Sequence, residues 1–451
     1  MSMKIAILGY GQQGRSAFDY WNTPENTITI CDKSLPSDLP PNVATKSDGD
    51  YLSNLHEFDL LVRTPGLHPK EILQTNELHP EVMNKVTSVT NEFFRVCPAP
   101  IIGVTGTKGK GTTSTLIATI LSNAGRRVHL GGNIGTPPLD LLKNNIQPDD
   151  IVVLELANYQ LIDLKHSPHI AVCLMITPEH LNWHTDMQEY LNSKKQLFIH
   201  QKPQDLTVYN ANNLYSEEIA DVSPATKIPY AVPQEGQELD SENGAYIKGR
   251  HIYMNGENIC STNDIALPGR HNFENVCAAI AATWDLVMHD KKSIKTALEK
   301  FTGLPHRLQI VRDYNGILLI DDSFGTTPET AIVAMEAFKQ PKIMIIGGSD
   351  KGSSYEELVQ KVIKGNVKHV VAIGETGPKI VDLLKKYAQF RAVPYTVLDS
   401  SAKMPAVVSA ALQQATKGDA VMLSPACASF DMFANYQERG EQFQATVKSL
   451  S

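Results

Sequence analysis

At 451 residues, 42% hydrophobic and 20% charged, the chain has the composition of globular proteins and is long enough for about two to four cores. A net charge of -8 with a pI near 6.0 argues against a nucleic-acid-coating protein, which carries a basic surplus. Six cysteines, at 31, 97, 173, 260, 277 and 427, show no Cys-x-x-Cys spacing, so neither a disulfide framework nor a zinc knuckle is expected.

The chain opens on the strand-like "MKIAILGYG", which leaves no room for a leader, and no apolar run reaches membrane-spanning length. A cytoplasmic protein with no membrane partner is expected. Gly9-x-Gly11-x-x-Gly14 follows that strand and precedes a helix-like stretch, and Asp32 stands about 20 residues on. The pattern lets backbone N–H groups approach a diphosphate at a helix N-terminus. NAD, FAD or a UDP-sugar would each satisfy it, and a plain tight turn has the same spelling. The strands "TITICD" and "DLLVRTPGLHP" complete a first segment, closed by Pro98 and Pro100.

The second segment begins with "IIGVTG", runs into "TGTKGKGTT" and continues as the helical "TSTLIATILSNAG". Gly106, Thr107, Lys108, Gly109, Lys110, Gly111, Thr112 and Thr113 read as a phosphate-binding loop; a merely structural glycine turn would leave the glycines and lysines at a helix start unexplained. Its glycines let N–H groups wrap phosphate oxygens, Lys110 adds a charge, and the helix dipole favours anions. The usual pattern places a hydroxyl directly after the lysine, where it reaches magnesium. Here Gly111 intervenes, making Thr112 the first candidate and Thr113 the reserve.

Further strands are "RVHLGGNIG", "DIVVLELA" and "IAVCLMITPEH". Glu155 and His180 end two of them and, as a set with the loop, suit magnesium; singly, each reads as a polar end-cap, and imidazole is an uncommon ligand for that ion. Lys194, in "YLNSKKQLF", reads on composition alone as a solvated surface lysine. Residues 205–265 suggest a small antiparallel sheet, and "NFENVCAAIAATWDL" a buried helix.

Near "FTGLPHRLQIV" a strand–helix alternation restarts. Arg307 can clamp a phosphate and Asp322 a ribose or a metal's hydration shell, or both can serve an interdomain salt bridge. "SPACASFDMFANYQERG" has no histidine placed to make Ser429 or Cys427 a triad nucleophile, and reads as a binding loop entering a helix. The expected fold is α/β in three domains. Residues 1–96 form an N-terminal Rossmann-like domain, 97–303 a central P-loop ATPase-like parallel sheet with a small antiparallel sheet, and 304–451 a C-terminal doubly wound Rossmann-like domain.

With "TGTKGKGTT", "GGNIGTPPLD", "VLELANYQL", "TPEHLNWH", "LPGRHNFENVCAA", "GLPHRLQIV" and "LSPACASFDMFANYQERGEQF" in this order, the chain resembles the Mur ligases along essentially its whole length. It is most similar to the branch that joins D-glutamate to UDP-N-acetylmuramoyl-L-alanine. The resemblance implies an ATP-dependent amide ligase of peptidoglycan precursor synthesis, working through an acyl phosphate, monomeric, with two magnesium ions. It assigns Lys110 to the terminal phosphates, Glu155 and His180 to metal, and Lys194 to a carbamate that serves as a further metal ligand. Asn272, Arg307 and Asp322 fall to ATP. Gly11, Gln12, Gln13, Asp32, Lys33, Thr64, Pro65, Gly66, Asn133 and Gln160 fall to the UDP-sugar, and Thr326, Lys351, Ser429, Phe430 and Tyr436 to D-glutamate.

Several positions depart from that branch. Gly111 is spelled as in folylpolyglutamate synthases, Ala157 replaces a serine, and Glu179 an aspartate. Phe324 stands where a lysine is usual and Tyr436 where a phenylalanine is usual, which leaves another acceptor amino acid open. A folylpolyglutamate-synthase-like ligase fits less well, because that relative lacks the N-terminal diphosphate-binding segment. An NAD-dependent oxidoreductase would explain only the first glycine motif, and a catalytically weakened binding protein rests on Gly111 and Phe324.

Overall fold

The computed structural model describes residues 2–36, 38–133, 135–180, 183–234, 242–267, 269–270, 272–350 and 353–450. By its contacts the chain divides into two compact units, Met1–Phe301 and Thr302–Ser451.

The first unit holds two sheets. Strands β1 (Lys4–Leu8), β2 (Thr27–Cys31), β3 (Ala44–Lys46), β4 (Leu60–Arg63) and β5 (Val86–Ser88) form a parallel sheet in the order β3-β2-β1-β4-β5. Isoleucines and leucines of β1 are buried on both faces, as a parallel sheet covered on both sides requires.

The second sheet has nine strands: β6 (Ile101–Thr105), β7 (Val128–Gly132), β8 (Ile151–Glu155), β9 (Ile170–Cys173), β10 (Leu206–Asn210), β11 (Thr226–Ala231), β12 (Ala245–Lys248), β13 (His251–Met254) and β14 (Glu257–Ser261). Its order is β14-β13-β12-β11-β10-β9-β6-β8-β7, parallel from β7 to β12 and antiparallel over the last two pairings. The antiparallel strands expected within 205–265 therefore extend the parallel sheet instead of standing apart, because β12 pairs with β11 through Tyr230 and Ala231.

The second unit carries β15 (Gln309–Tyr314), β16 (Ile317–Asp321), β17 (Lys342–Gly347), β18 (Val367–Ile373), β19 (Tyr395–Leu398) and β20 (Ala420–Leu423), ordered β15-β16-β20-β17-β18-β19. Only β15 runs antiparallel. Ile320, Met344 and Val370 pack on one face, and Leu319, Ile345 and Val371 on the other, each with its own layer of helices. Among the described residues no helix is long and apolar enough to cross a membrane.

Candidate active site

All five residues of β6 are buried, and the chain leaves its C-terminal end as the phosphate loop. Gly109 adopts φ +86° at the start of the helix Lys110–Asn123, and a Cβ there would lie 2.3 Å from Asn275 Oδ1. Only glycine fits that position. Lys110 Nζ folds back on its own loop, donating to the carbonyls of Gly106 at 3.1 Å and Thr107 at 2.9 Å. The Thr113 hydroxyl donates to Asn275 Oδ1 at 3.2 Å, whereas that of Thr112 makes no hydrogen bond among the described residues. The Thr113–Asn275 bond ties the loop to the helix Asn272–Thr283, within which Asn275 also donates to Asn272 Oδ1 at 2.8 Å.

Glu155 is the last residue of β8, next to β6 in the sheet, and is buried. Its Oε1 accepts from Asn133 Nδ2 at 3.2 Å. His180 is half-buried at φ +58°, a region that costs a non-glycine residue strain and that concentrates at functional positions. Burial holds its imidazole below the usual range.

Lys194 lies on the inward face of the helix Met187–Lys195, one turn after Tyr190, and the two are 1% and 0% exposed. Composition alone suggests a solvated lysine; the fold buries it instead. Its Nζ donates to the Gly106 carbonyl at 3.0 Å and approaches Thr105 Oγ1 at 3.4 Å, and it makes no ion pair among the described residues. Burial first, and Lys110 second, hold its ammonium down to about 7. Lys110 and Lys194 thus meet on one carbonyl, Gly106 O, and the Tyr190 hydroxyl pairs with Thr107 Oγ1 at 2.9 Å to fix the same loop.

The first glycine motif is equally close-packed. Gly9 has φ +97°, and a Cβ there would sit 2.1 Å from Thr64 Oγ1, so the turn after β1 is pressed against the turn after β4. Gly11 precedes the helix Gln12–Trp21. Asp32 receives the Tyr10 N–H at 2.6 Å and the Ser34 N–H at 3.1 Å, which braces the glycine turn. Thr64 donates to the Leu8 carbonyl at 2.8 Å, and Pro65 and Gly66 follow it in the same turn. Lys33 lies 3.4 Å from Glu71 at the surface.

Gln12 and Gln13 reach from this sheet to the Gly135 and Gly132 carbonyls, at 3.0 and 3.4 Å. The Gln160 Oε1 caps the Ala157 N–H at 3.0 Å. Among the described residues, Gln13 Oε1 and Gln160 Nε2 are buried with no hydrogen-bond partner. Buried polar atoms of this kind are costly unless something else satisfies them, and a polar ligand at the junction of the two sheets would.

In the second unit, Asp322 follows β16 and accepts from Ser424 Oγ at 2.7 Å and Leu308 N–H at 3.1 Å; burial pushes its carboxyl up to about 7. The Arg307 guanidinium lies 5.5 Å from the Phe324 ring centroid, and Phe324 meets Tyr436 edge-on at 5.2 Å. Thr326 is half-buried, Ser429 buried and Phe430 exposed. Lys351 lies outside the described residues.

Some contacts were not anticipated. Arg63, 1% exposed, pairs bidentately with Asp163 at 2.5 and 2.7 Å; its signal was an arginine ending an otherwise apolar strand. Arg439, fully buried, donates to Ser323 and to the Cys427 and Ala428 carbonyls, holding the Ser-Pro-Ala-Cys-Ala-Ser turn.

Residues 104–283 match the Mur ligase middle domain and residues 306–427 the Mur ligase glutamate ligase domain. The UDP-N-acetylmuramoylalanine--D-glutamate ligase of Acetivibrio thermocellus is 36% identical, covering 99% of this chain and 96% of its own. That of Clostridium tetani is 32% identical, covering 99% and 97%. Among solved structures, the UDP-N-acetylmuramate-alanine ligase MurC of Thermotoga maritima superimposes with a TM-score of 0.58 at 16% identity over 99% of each chain. A MurF ligase of the same organism, in complex with ADP, has a TM-score of 0.55 at 16% identity, covering 98% and 95%.

Proposed function

The chain belongs to the Mur ligase family, and from that premise we propose that it joins D-glutamate to UDP-N-acetylmuramoyl-L-alanine at the expense of ATP, in the cytoplasm and as a monomer. The division of labour follows the segments 1–96 for the UDP-sugar, 97–303 for ATP and 304–451 for the amino acid. The observation that carries the reading is the convergence of Lys110 and Lys194 on Gly106 O. A glycine loop at a helix N-terminus with Lys110 folded back on it suits an anionic occupant, and a nucleoside triphosphate supplies it.

The substrate carboxylate attacks the γ-phosphorus, ADP leaves, and an acyl phosphate results. The amine of D-glutamate then attacks the acyl carbon, phosphate departs with the bonding pair, and the amine proton is released. The chain's contribution is placement and charge. Lys110 unfolds from its loop carbonyls to the terminal phosphates, and Gly109 keeps the turn tight enough for N–H groups to face them. Gln13 and Gln160 take the UDP-sugar with their unsatisfied atoms. Arg307 and Asp322 serve ATP, and Thr326, Lys351, Ser429, Phe430 and Tyr436 the amino acid.

Magnesium suits a set of Glu155, His180 and Thr112, and when bound it neutralises phosphate charge. An ammonium at Lys194 does not suit it, whereas a carbamate on that nitrogen does; the buried setting of Lys194, with no ion pair among the described residues, favours that exchange, and two ions can then be held. The test is phosphate release from ATP with UDP-N-acetylmuramoyl-L-alanine and a panel of D- and L-amino acids. Release with D-glutamate alone is expected. Release with a different acceptor only, which the Phe324–Tyr436 pair would explain, transfers the reading to that amino acid; no release with any acceptor overturns it.

A further inference from the structure

Glu189, in the first turn of the helix that carries Lys194, gathers side chains from both sheets of the first unit. Its Oε2 accepts the Thr185 N–H at 2.7 Å and the Thr185 hydroxyl at 3.1 Å, while Lys70 closes on Oε1. Two buried histidines face the same Oε2, His68 through Nε2 and His184 through Nδ1, each at 3.6 Å. Among the described residues those two nitrogens have no hydrogen-bond partner.

The opposite nitrogens decide where the protons are. His68 Nδ1 accepts the Lys70 N–H at 3.1 Å, capping the helix Pro69–Thr75, so a neutral ring carries its proton on Nε2. His184 Nε2 meets Asn158 Nδ2 at 2.8 Å; with the amide as donor, the ring proton sits on Nδ1. Burial keeps both imidazoles below their ordinary range, so both are neutral at pH 7. Two N–H groups therefore point at one carboxylate oxygen.

A two-histidine, one-carboxylate set with all ligand atoms within 4.8 Å of one another also has the chemistry of a zinc site. Here the lone pair needed on His68 Nε2 is freed only if Nδ1 gives up its helix cap, and the Lys70 ammonium on the same carboxylate opposes a cation. The geometry favours protons over metal.

We propose that Glu189 is a positioning residue: with His68, Lys70 and His184 it clasps the turn after β4 to the helix bearing Lys194, so that engagement of the UDP-sugar by Thr64–Gly66 sets the placement of Lys194. The clasp sits between both ends of that path. His68 is two residues past Gly66, and Tyr190, next to Glu189, bonds Thr107 in the phosphate loop. On the other side, Asn158 starts the short helix that holds Gln160. This inference rests on the proposed role of Lys194.

The test compares Glu189→Ala, His68→Asn and Lys194→Ala in the full chain. Asparagine can still cap the helix at position 68 but cannot reach Glu189. Glu189→Ala and His68→Asn should each raise KM for the UDP-sugar substrate by about tenfold, leave KM for ATP within about twofold, and make activity respond to added bicarbonate. Lys194→Ala should be inactive at any bicarbonate concentration. Equal changes in both KM values, or none, in the first two variants while Lys194→Ala is inactive overturns the clasp alone. A fully active Lys194→Ala overturns the reading of Lys194 and the clasp's purpose with it. Stoichiometric zinc binding to the wild type that Glu189→Ala abolishes overturns the metal-free assignment.

Discussion

Two adjacent threonines in the phosphate loop separate stability from chemistry. Thr113 is fully buried and spends its hydroxyl on Asn275, while the Thr112 hydroxyl is uncommitted among the described residues. Thr113→Val leaves Asn275 Oδ1 without that donor and should cost about 1–3 kcal/mol of stability, with activity largely retained at low temperature. Thr112→Val should unfold close to wild type, within about 0.5 kcal/mol, yet lose about 10- to 100-fold in kcat with a raised magnesium requirement. Urea unfolding and magnesium titrations of the two variants check this. The opposite pattern would place the metal hydroxyl on Thr113. On the proposed assignment, Gly111 moves the metal-facing position one residue on, to Thr112, and a hydroxyl is still available there.

Among helices and turns, local sequence signals mark some functional groups, and long-range packing decides the others. The glycine loop and the strand-end Glu155 were legible because each signal is local: a run of apolar residues followed by the polar group that a parallel sheet presents at its carboxyl edge. The inward turn of Lys194 was not, since "YLNSKKQLF" offers two adjacent lysines and only packing decides which is buried. The antiparallel strands were legible, but not their attachment to β11, which is a long-range pairing. Nor could His68, His184 and Glu189 be joined from a sequence that keeps the first over a hundred positions from the others.

At the N-terminal turn of the lysine helix, the same cluster makes a pH prediction. Burial raises the Glu189 carboxyl, but Lys70 and the Thr185 donors outweigh it and bring it from 4.5 down to about 2. A carboxyl lowered by folding contributes stability that is complete above about pH 4.5 and is lost as pH falls toward 2. The stability gap between wild type and Glu189→Gln, on the order of 1–3 kcal/mol at pH 7, should narrow below pH 4.5. A gap that stays constant from pH 7 to pH 3 in urea titrations would show that Glu189 is not held as a carboxylate.

On the scale of the whole molecule, the second unit has what an independent domain requires. Six strands carry buried layers on both faces, from Ile320, Met344 and Val370 on one side to Leu319, Ile345 and Val371 on the other. Among the described residues its buried polar groups find partners within the unit: His306 meets Asp321 at 2.7 Å, Ser424 meets Asp322, and Arg439 donates to Ser323, Cys427 and Ala428. Cutting at Thr302 therefore severs none of these bonds. Residues 302–451 expressed alone should fold to a monomer that unfolds in a single urea transition, with coincident near- and far-UV circular dichroism. A collapsed state with helical signal but no near-UV band would mean that the packing of this sheet depends on the rest of the chain. In that case the burial of Arg439 could not be credited to the unit itself, and its hold on the turn that contains Ser429 would have to be sought in the intact protein.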